Sequence, residues 1–245
     1  MKASELVEIA GTDYIETLRR CGGYYATRLG EDGRRLSPLV GYAGKYEDPY
    51  GEMLQWVGDV YYNFAKVEEF PHVLKQFGSH LAEDVGVYIL GEIDYVLGAP
   101  MGGIAIAVSL ARHLDCRFAF AEKKVTALAT PESREKSKLL LSRHEIVPGS
   151  KVVLVEDVCN NFSTTEELVA LVRSGGSEVI GIACELNRSP ETKWGELPVV
   201  SLRHIPTAQY RQHDPLVAVD IQASNVVWKP KDEWARLMAA MKGGD

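Results

Sequence analysis

The chain has 245 residues, a formal net charge of -7, 46% hydrophobic and 25% charged residues. That balance predicts a globular protein with a real core, and the acidic excess argues against a general nucleic-acid binder. The four cysteines, Cys21, Cys116, Cys159 and Cys184, form no C-x-x-C pair, which points away from zinc and disulfide frameworks and toward a reducing cytoplasm.

In chain order, residues 3–20 carry apolar positions at helical spacing, with no apolar leader, and Gly22-Gly23 ends them. Tyr24–Leu29 and Leu36–Tyr42 read as a hairpin around the turn GEDG. Residues 52–67 and 72–85 read as helices separated by Pro71. Strands and helices then alternate: Asp94–Ala99 (strand), Ile104–His113 (helix), Arg117–Ala121 (strand). The second half follows with Lys151–Val155 (strand), Thr165–Ser174 (helix), Glu178–Cys184 and Val199–Ile205 (strands). This rhythm predicts an α/β fold with a parallel sheet covered on both faces. Residues 125–150 read as two strands around a charged tip, TPESREKSK, and Glu233–Met241 as a last helix. The uncharged run Tyr95–Ala111 is too short and too broken for a membrane span. The expected division is a hood over 1–90, a core over 91–207 and a helical tail over 208–245.

Ligands of open parallel sheets bind beyond the carboxyl ends of the strands. Three chemically unusual stretches fall there: GAPMGG, AEKK and EDVCNNFSTT. Adjacent acids such as Glu156 and Asp157 suit a diol or a cation, each charge-assisted hydrogen bond being worth about 1.5–3 kcal/mol. The hydroxyls of Ser163, Thr164 and Thr165 at a helix start suit a phosphate. The same residues would also serve as an N-capped helix beside two solvated acids. Gly102 and Gly103 let a backbone come close, and the helix start behind them suits a second anion, or merely a tight turn.

VVLVEDVCNNFST resembles the phosphoribosyl pyrophosphate (PRPP) motif of type I phosphoribosyltransferases. The order of GRRLSP, VLGAPMGGIAIAVSLARHL, FAEKK, this motif and ELNRSPE is most similar to orotate phosphoribosyltransferase, over about residues 20–205. The resemblance implies a hooded type I fold and a Mg²⁺-dependent transfer of the phosphoribosyl group from PRPP to a nitrogenous base. It also implies a homodimer. Glu156 and Asp157 would hold the ribose hydroxyls and the metal, Asp157 acting in catalysis. Asn160, Asn161, Phe162, Ser163 and Thr164 would hold the 5′-phosphate. Pro100, Met101, Gly102 and Gly103 would hold pyrophosphate, helped by Lys123 and Lys124. Lys136 and Lys138 in the hairpin would supply catalytic cations, or simply keep an exposed tip soluble, and Arg188 would meet the base, unless it is a surface arginine paired with Glu185 or Glu191.

The chain also departs from the family. Phe162 and Ser163 stand where glycines are usual. A phenylalanine forced to φ > 0 would be strained, so another backbone path, or a different ligand group, is expected. Glu122 stands in an arginine's place, and His144 is expected to face solvent. A non-catalytic PRPP or nucleotide sensor and a purine-type transferase therefore stand as alternatives.

Overall fold

The computed structural model describes residues 13–127 and 136–243. Helix α1 (Tyr14–Arg20) is followed by four strands. These are β1 (Tyr24–Ala26), β2 (Leu39–Glu47), β3 (Met53–Gly58) and β4 (Val60–Tyr62). Residues 52–67 are thus mostly strand, not helix, and only α2 (Ala65–Glu68) is helical. Aromatic and β-branched residues fill MLQWVGDVYY, Gly51 precedes it and Gly58 interrupts it, which suits a pleated ladder better than a helix. The expected hairpin is also rearranged. Beyond one bridge, Leu29 with Arg35, its two arms pair elsewhere: β1 with β4 and β2 with β3, both antiparallel.

Helix α3 (Pro71–Tyr88) begins with proline at its first turn, where no amide partner is lost. The alternation follows: β5 (Tyr95–Gly98), α4 (Gly103–Leu114), β6 (Arg117–Phe120), the hairpin β7 (Glu122–Ala127) and β8 (Lys136–Leu140), β9 (Lys151–Cys159) and α5 (Ser163–Ser174). β10 (Glu178–Asn187), β11 (Lys193–Trp194) and β12 (Leu197–His204) complete it. The main sheet runs β11-β12-β10-β9-β5-β6, parallel except for β11. Its strands are buried runs because both faces are covered. Leu97, Leu154 and Ile182 pack with Leu168 and Val172 of α5. On the other side the helices α3 and α4 contribute buried Phe77, Leu81, Ile106 and Leu110. Most of the charged tip expected over 130–138 lies outside the described residues.

Helix α6 (Ala218–Gln222), β13 (Val226–Val227) and α7 (Trp234–Lys242) close the chain. Two compact units result: Glu68–Pro206, joined by Tyr14, and Ile15–Val67 with the residues from Thr207 onward. In the smaller unit β13 pairs in parallel with β2, at Val226 with Leu39 and Val227 with Val40. Leu237 packs with Tyr25, Val40, Tyr42 and Val227. Arg35 bonds Asp59, Asp220 and the carbonyl of Leu216, and the carboxylates beside it raise its pKa further. Among the described residues no helix is long and apolar enough to cross a membrane.

Candidate functional site

The site begins where neighbouring strands have different lengths. β5 ends at Gly98, opposite Val155, but β9 continues to Cys159 along β10. Glu156 and Asp157 therefore lie inside the ladder, past the expected strand end at Val155, with Cys184 opposite Glu156. Beyond Val155 the β5 side of β9 is vacated, and the loop 99–103 enters there. The Ala99 amide donates to the Val155 carbonyl at 2.8 Å, and the Gly103 amide to the Ala99 carbonyl at 3.1 Å.

The two glycines are required by this approach. A Cβ on Gly102 would lie 2.4 Å from the Asp157 carboxylate, and one on Gly103 would lie 2.2 Å from the Val155 carbonyl oxygen. Gly102 is thereby brought against the Asp157 carboxylate and Gly103 against the backbone of Val155 and Glu156, with Pro100 and Met101 before them in the same loop. The Pro100–Met101 peptide is cis and the Met101 side chain is 82% exposed.

The loop after β9 leads into α5. Phe162 does adopt the left-handed conformation, φ 56° and ψ 17°. That overturns the expectation of another backbone path. The ring explains how: Phe162 is buried and packs in the main core cluster. Burying a phenylalanine outweighs a left-handed cost of about 1–2 kcal/mol. Asn161 Oδ1 accepts from both the amide and the hydroxyl of Ser163. The Glu166 amide is bonded back to the Phe162 carbonyl at 2.9 Å. The helix start at Ser163 and Thr164 presents amides that have no partner within the helix. Asn160 lies half-buried at the loop's entry.

The third side is cationic. A cleft of about 570 Å³ is lined by Pro100, Met101, Glu122, Lys123, Lys124 and Arg143, among others. Lys124 stands directly opposite Lys138 across the β7–β8 ladder. Like charges in that position repel, so an anion between them would be welcome. Lys136 opens β8 opposite Ala127. Sequence reasoning missed Arg143, which pairs with Glu122 at 2.9 Å. Its signal was Glu122 itself, an acid where a cation was due. The arginine side chain is 74% exposed, and such exposed pairs contribute about 0–1 kcal/mol, so Arg143 can exchange partners readily. His144 does not face solvent. Its ring is half-buried and meets Phe120 and Phe118 edge-on, with centroids 4.7 and 5.9 Å away.

Arg188 is not a surface residue: it is 5% exposed, and its amide donates to the Cys159 carbonyl at 2.9 Å. The turn behind it is braced, with Asn187 Oδ1 accepting from the Ser189 amide and hydroxyl, and the Ser189 carbonyl bonding His204. Sequence reasoning also passed over Glu185 as a site residue. It is 2% exposed, and burial, then the charges of Asp157 and Glu68, push its pKa well up. The buried Cys159 thiol is likewise raised, by its hydrogen bond with Cys184 and by burial.

Residues 73–214, more than half of the chain, match the family described as phosphoribosyl transferase domain. The orotate phosphoribosyltransferase of Caldanaerobacter subterraneus subsp. tengcongensis is 36% identical over 132 residues, which is 54% of this chain and 62% of that protein's length. The enzyme of the same name from Wolinella succinogenes is 31% identical over 161 residues, 65% of this chain and 71% of the relative. The crystal structure of orotate phosphoribosyltransferase from Aeropyrum pernix superposes with a TM-score of 0.53 at 17% identity, covering 84% of this chain and 97% of that one, a likeness of fold. With the acids, the glycine loop and the parallel sheet in one arrangement, the chain belongs to the phosphoribosyltransferase family and is most like its orotate members.

Proposed function

We propose that this chain transfers the 5-phosphoribosyl group of PRPP to a ring nitrogen of a base, orotate being the favoured acceptor, with release of pyrophosphate. The observation that carries the proposal is the contact of Gly102 with the Asp157 carboxylate. It joins a diol-binding pair to a pyrophosphate-sized loop beside a cationic cleft. Glu156 and Asp157 accept hydrogen bonds from the ribose hydroxyls. The amides and hydroxyls at the start of α5 receive the 5′-phosphate. Lys123, Lys124 and Arg143 face the leaving pyrophosphate, whose charge grows as the C1–O bond breaks, so they stabilise the transition state more than the ground state. Lys136 and Lys138 would add to this from the hairpin.

The donor set suits Mg²⁺. Glu156 and Asp157 belong to no larger cluster of metal-ligating side chains among the described residues. A hard cation that keeps waters and takes its other ligands from substrate oxygens needs no more than one or two carboxylates. Bound there, it would withdraw charge from the pyrophosphate.

Orotate carries a carboxylate that the planar fork of Arg188 can grip. The names of these relatives favour the same acceptor. By resemblance the assembly is a homodimer, and four free cysteines are consistent with the cytoplasm. A second reading, a non-catalytic sensor of PRPP or a nucleotide, draws on the Glu122–Arg143 pair, which engages one cation of the cleft. The deciding experiment is pyrophosphate release from PRPP and Mg²⁺ with a panel of bases. Release with orotate supports the proposal, and release with a purine alone changes the acceptor. PRPP-stabilised melting without turnover selects the sensor.

A further inference from the structure

A second basic groove lies within the larger unit, between α3 and α4. The two helices are tied where the Ser109 hydroxyl donates to the Leu74 carbonyl at 3.0 Å. They come so close that a Cβ on Gly78 would lie 2.1 Å from Ser109 Oγ. Alongside this crossing is a groove of about 530 Å³. His72 and Lys75 of α3 and Arg112 and His113 of α4 line it, with Leu74, Ala105 and Val108 as apolar wall and no carboxylate among the lining residues.

The ordinary account of such a cluster is helix-end electrostatics. It serves for Arg112 and His113, which sit in the last turn of α4 and complement its negative end. It fails for α3. The opening turns of that helix hold His72 and Lys75, no acid occupies its first turn, and no side chain caps it. Cations there oppose the positive end of the macrodipole, a cost that a bound anion would reverse. Two further observations agree. His72 Nε2 is buried without a hydrogen-bond partner. Neither Lys75 nor Arg112 makes an ion pair with a described residue.

We infer that this groove binds the phosphate groups of a nucleoside phosphate, with the base against the apolar wall. The volume is within the range of small-ligand sites, about 300–1,000 Å³. The cations are local, in a chain whose net charge is -7. The groove is distinct from the strand-end site. Its Arg112 and His113 close the last turn of α4, while Gly102 and Gly103 stand at the other end of that helix, about 13–15 Å away at 1.5 Å per residue.

The test uses ATP as the probe, with calorimetry on the whole chain. The charge reversal Lys75→Glu with Arg112→Glu should weaken ATP binding by about tenfold or more, and the neutral pair Lys75→Gln with Arg112→Gln should weaken it by less. Both side chains are exposed, so melting should be unchanged and loss of fold cannot mimic the result. The cleft pair Lys123→Ala with Lys124→Ala should leave this binding within about twofold. Absence of binding at about 1 mM ATP, an unchanged affinity in the reversed pair, or a loss that follows the cleft pair instead would each overturn the inference. None of these outcomes depends on whether the chain turns over PRPP.

Discussion

The two sides of the candidate site are built on opposite principles. The acidic side sits inside a buried ladder: Glu156 is in register with Cys184, and Asp157 is pressed against Gly102 by a loop hydrogen-bonded to β9. The cationic side is a hairpin whose lysines Lys123, Lys124 and Lys138 are exposed, with Arg143 held by a surface pair. The first side has its ordering entropy covered by folding. The second must order long side chains when an anion arrives, at about 1.5–2 kcal/mol of rotamer freedom each. The difference teaches a division of labour: substrate recognition belongs to the rigid side, while charge neutralisation that must also let product leave belongs to the adaptable one.

The largest expected effect sharpens the rigid half. Asp157→Asn keeps the shape but removes the charge. Losing two charge-assisted contacts should weaken PRPP binding by about two to four decades, measured by calorimetry. An unchanged affinity would break the assignment of this strand end to the ribose. Next comes the anchor of the phosphate loop. Phe162→Gly relieves the left-handed strain but deletes a buried ring, so chemical denaturation should show a net loss of about 2–4 kcal/mol. A gain in stability would mean that the ring contributes little there.

The adaptable half predicts smaller and kinetic changes. Arg143→Ala, and separately Lys136→Ala with Lys138→Ala, should lower kcat by about tenfold while moving the PRPP affinity of the resting protein by less than about threefold. Equal effects on both quantities would erase the proposed contrast between the two sides. The smallest effect is a pH dependence. Glu185 has a folded pKa above its unfolded value, so the native state holds its proton where the unfolded chain releases it. Stability from this residue is therefore full below the unfolded pKa, near pH 4.5, and falls as pH rises toward the folded value. Glu185→Gln should raise Tm by about 2–6 °C at pH 8 and the gain should fade toward pH 5, in a melting series.

The parallel sheet and its strand-end loops were legible because buried strands read as continuous apolar runs and helix starts carry their own chemistry. β5, α4, β6 and α5 fall within a residue or two of their expected bounds. Residues 52–67 misled because Met53, Trp56, Val57, Val60 and Phe64 satisfy helical spacing, while their aromatic and β-branched character favours a ladder that only long-range partners create. The end of β9 was read too early because charge resembles a boundary, whereas pairing with β10 carries the strand through both acids. Arg188's burial and the Glu122–Arg143 pair were invisible for a common reason: both depend on residues brought together by tertiary folding, and no local pattern records that.

The smaller unit has a consequence for how the chain is made. Its first segment, Ile15–Val67, is synthesised well before its second, which starts at Thr207. β2 cannot receive β13, nor Arg35 its bond to Asp220, until residues 220–227 have left the ribosome. The larger unit, ending at Pro206, is complete first. A nascent chain therefore carries Leu39, Val40 and Val57 uncovered while everything between is translated. A message truncated before Val226 would leave β2 with a bare edge, the kind of strand that recruits other chains into aggregates.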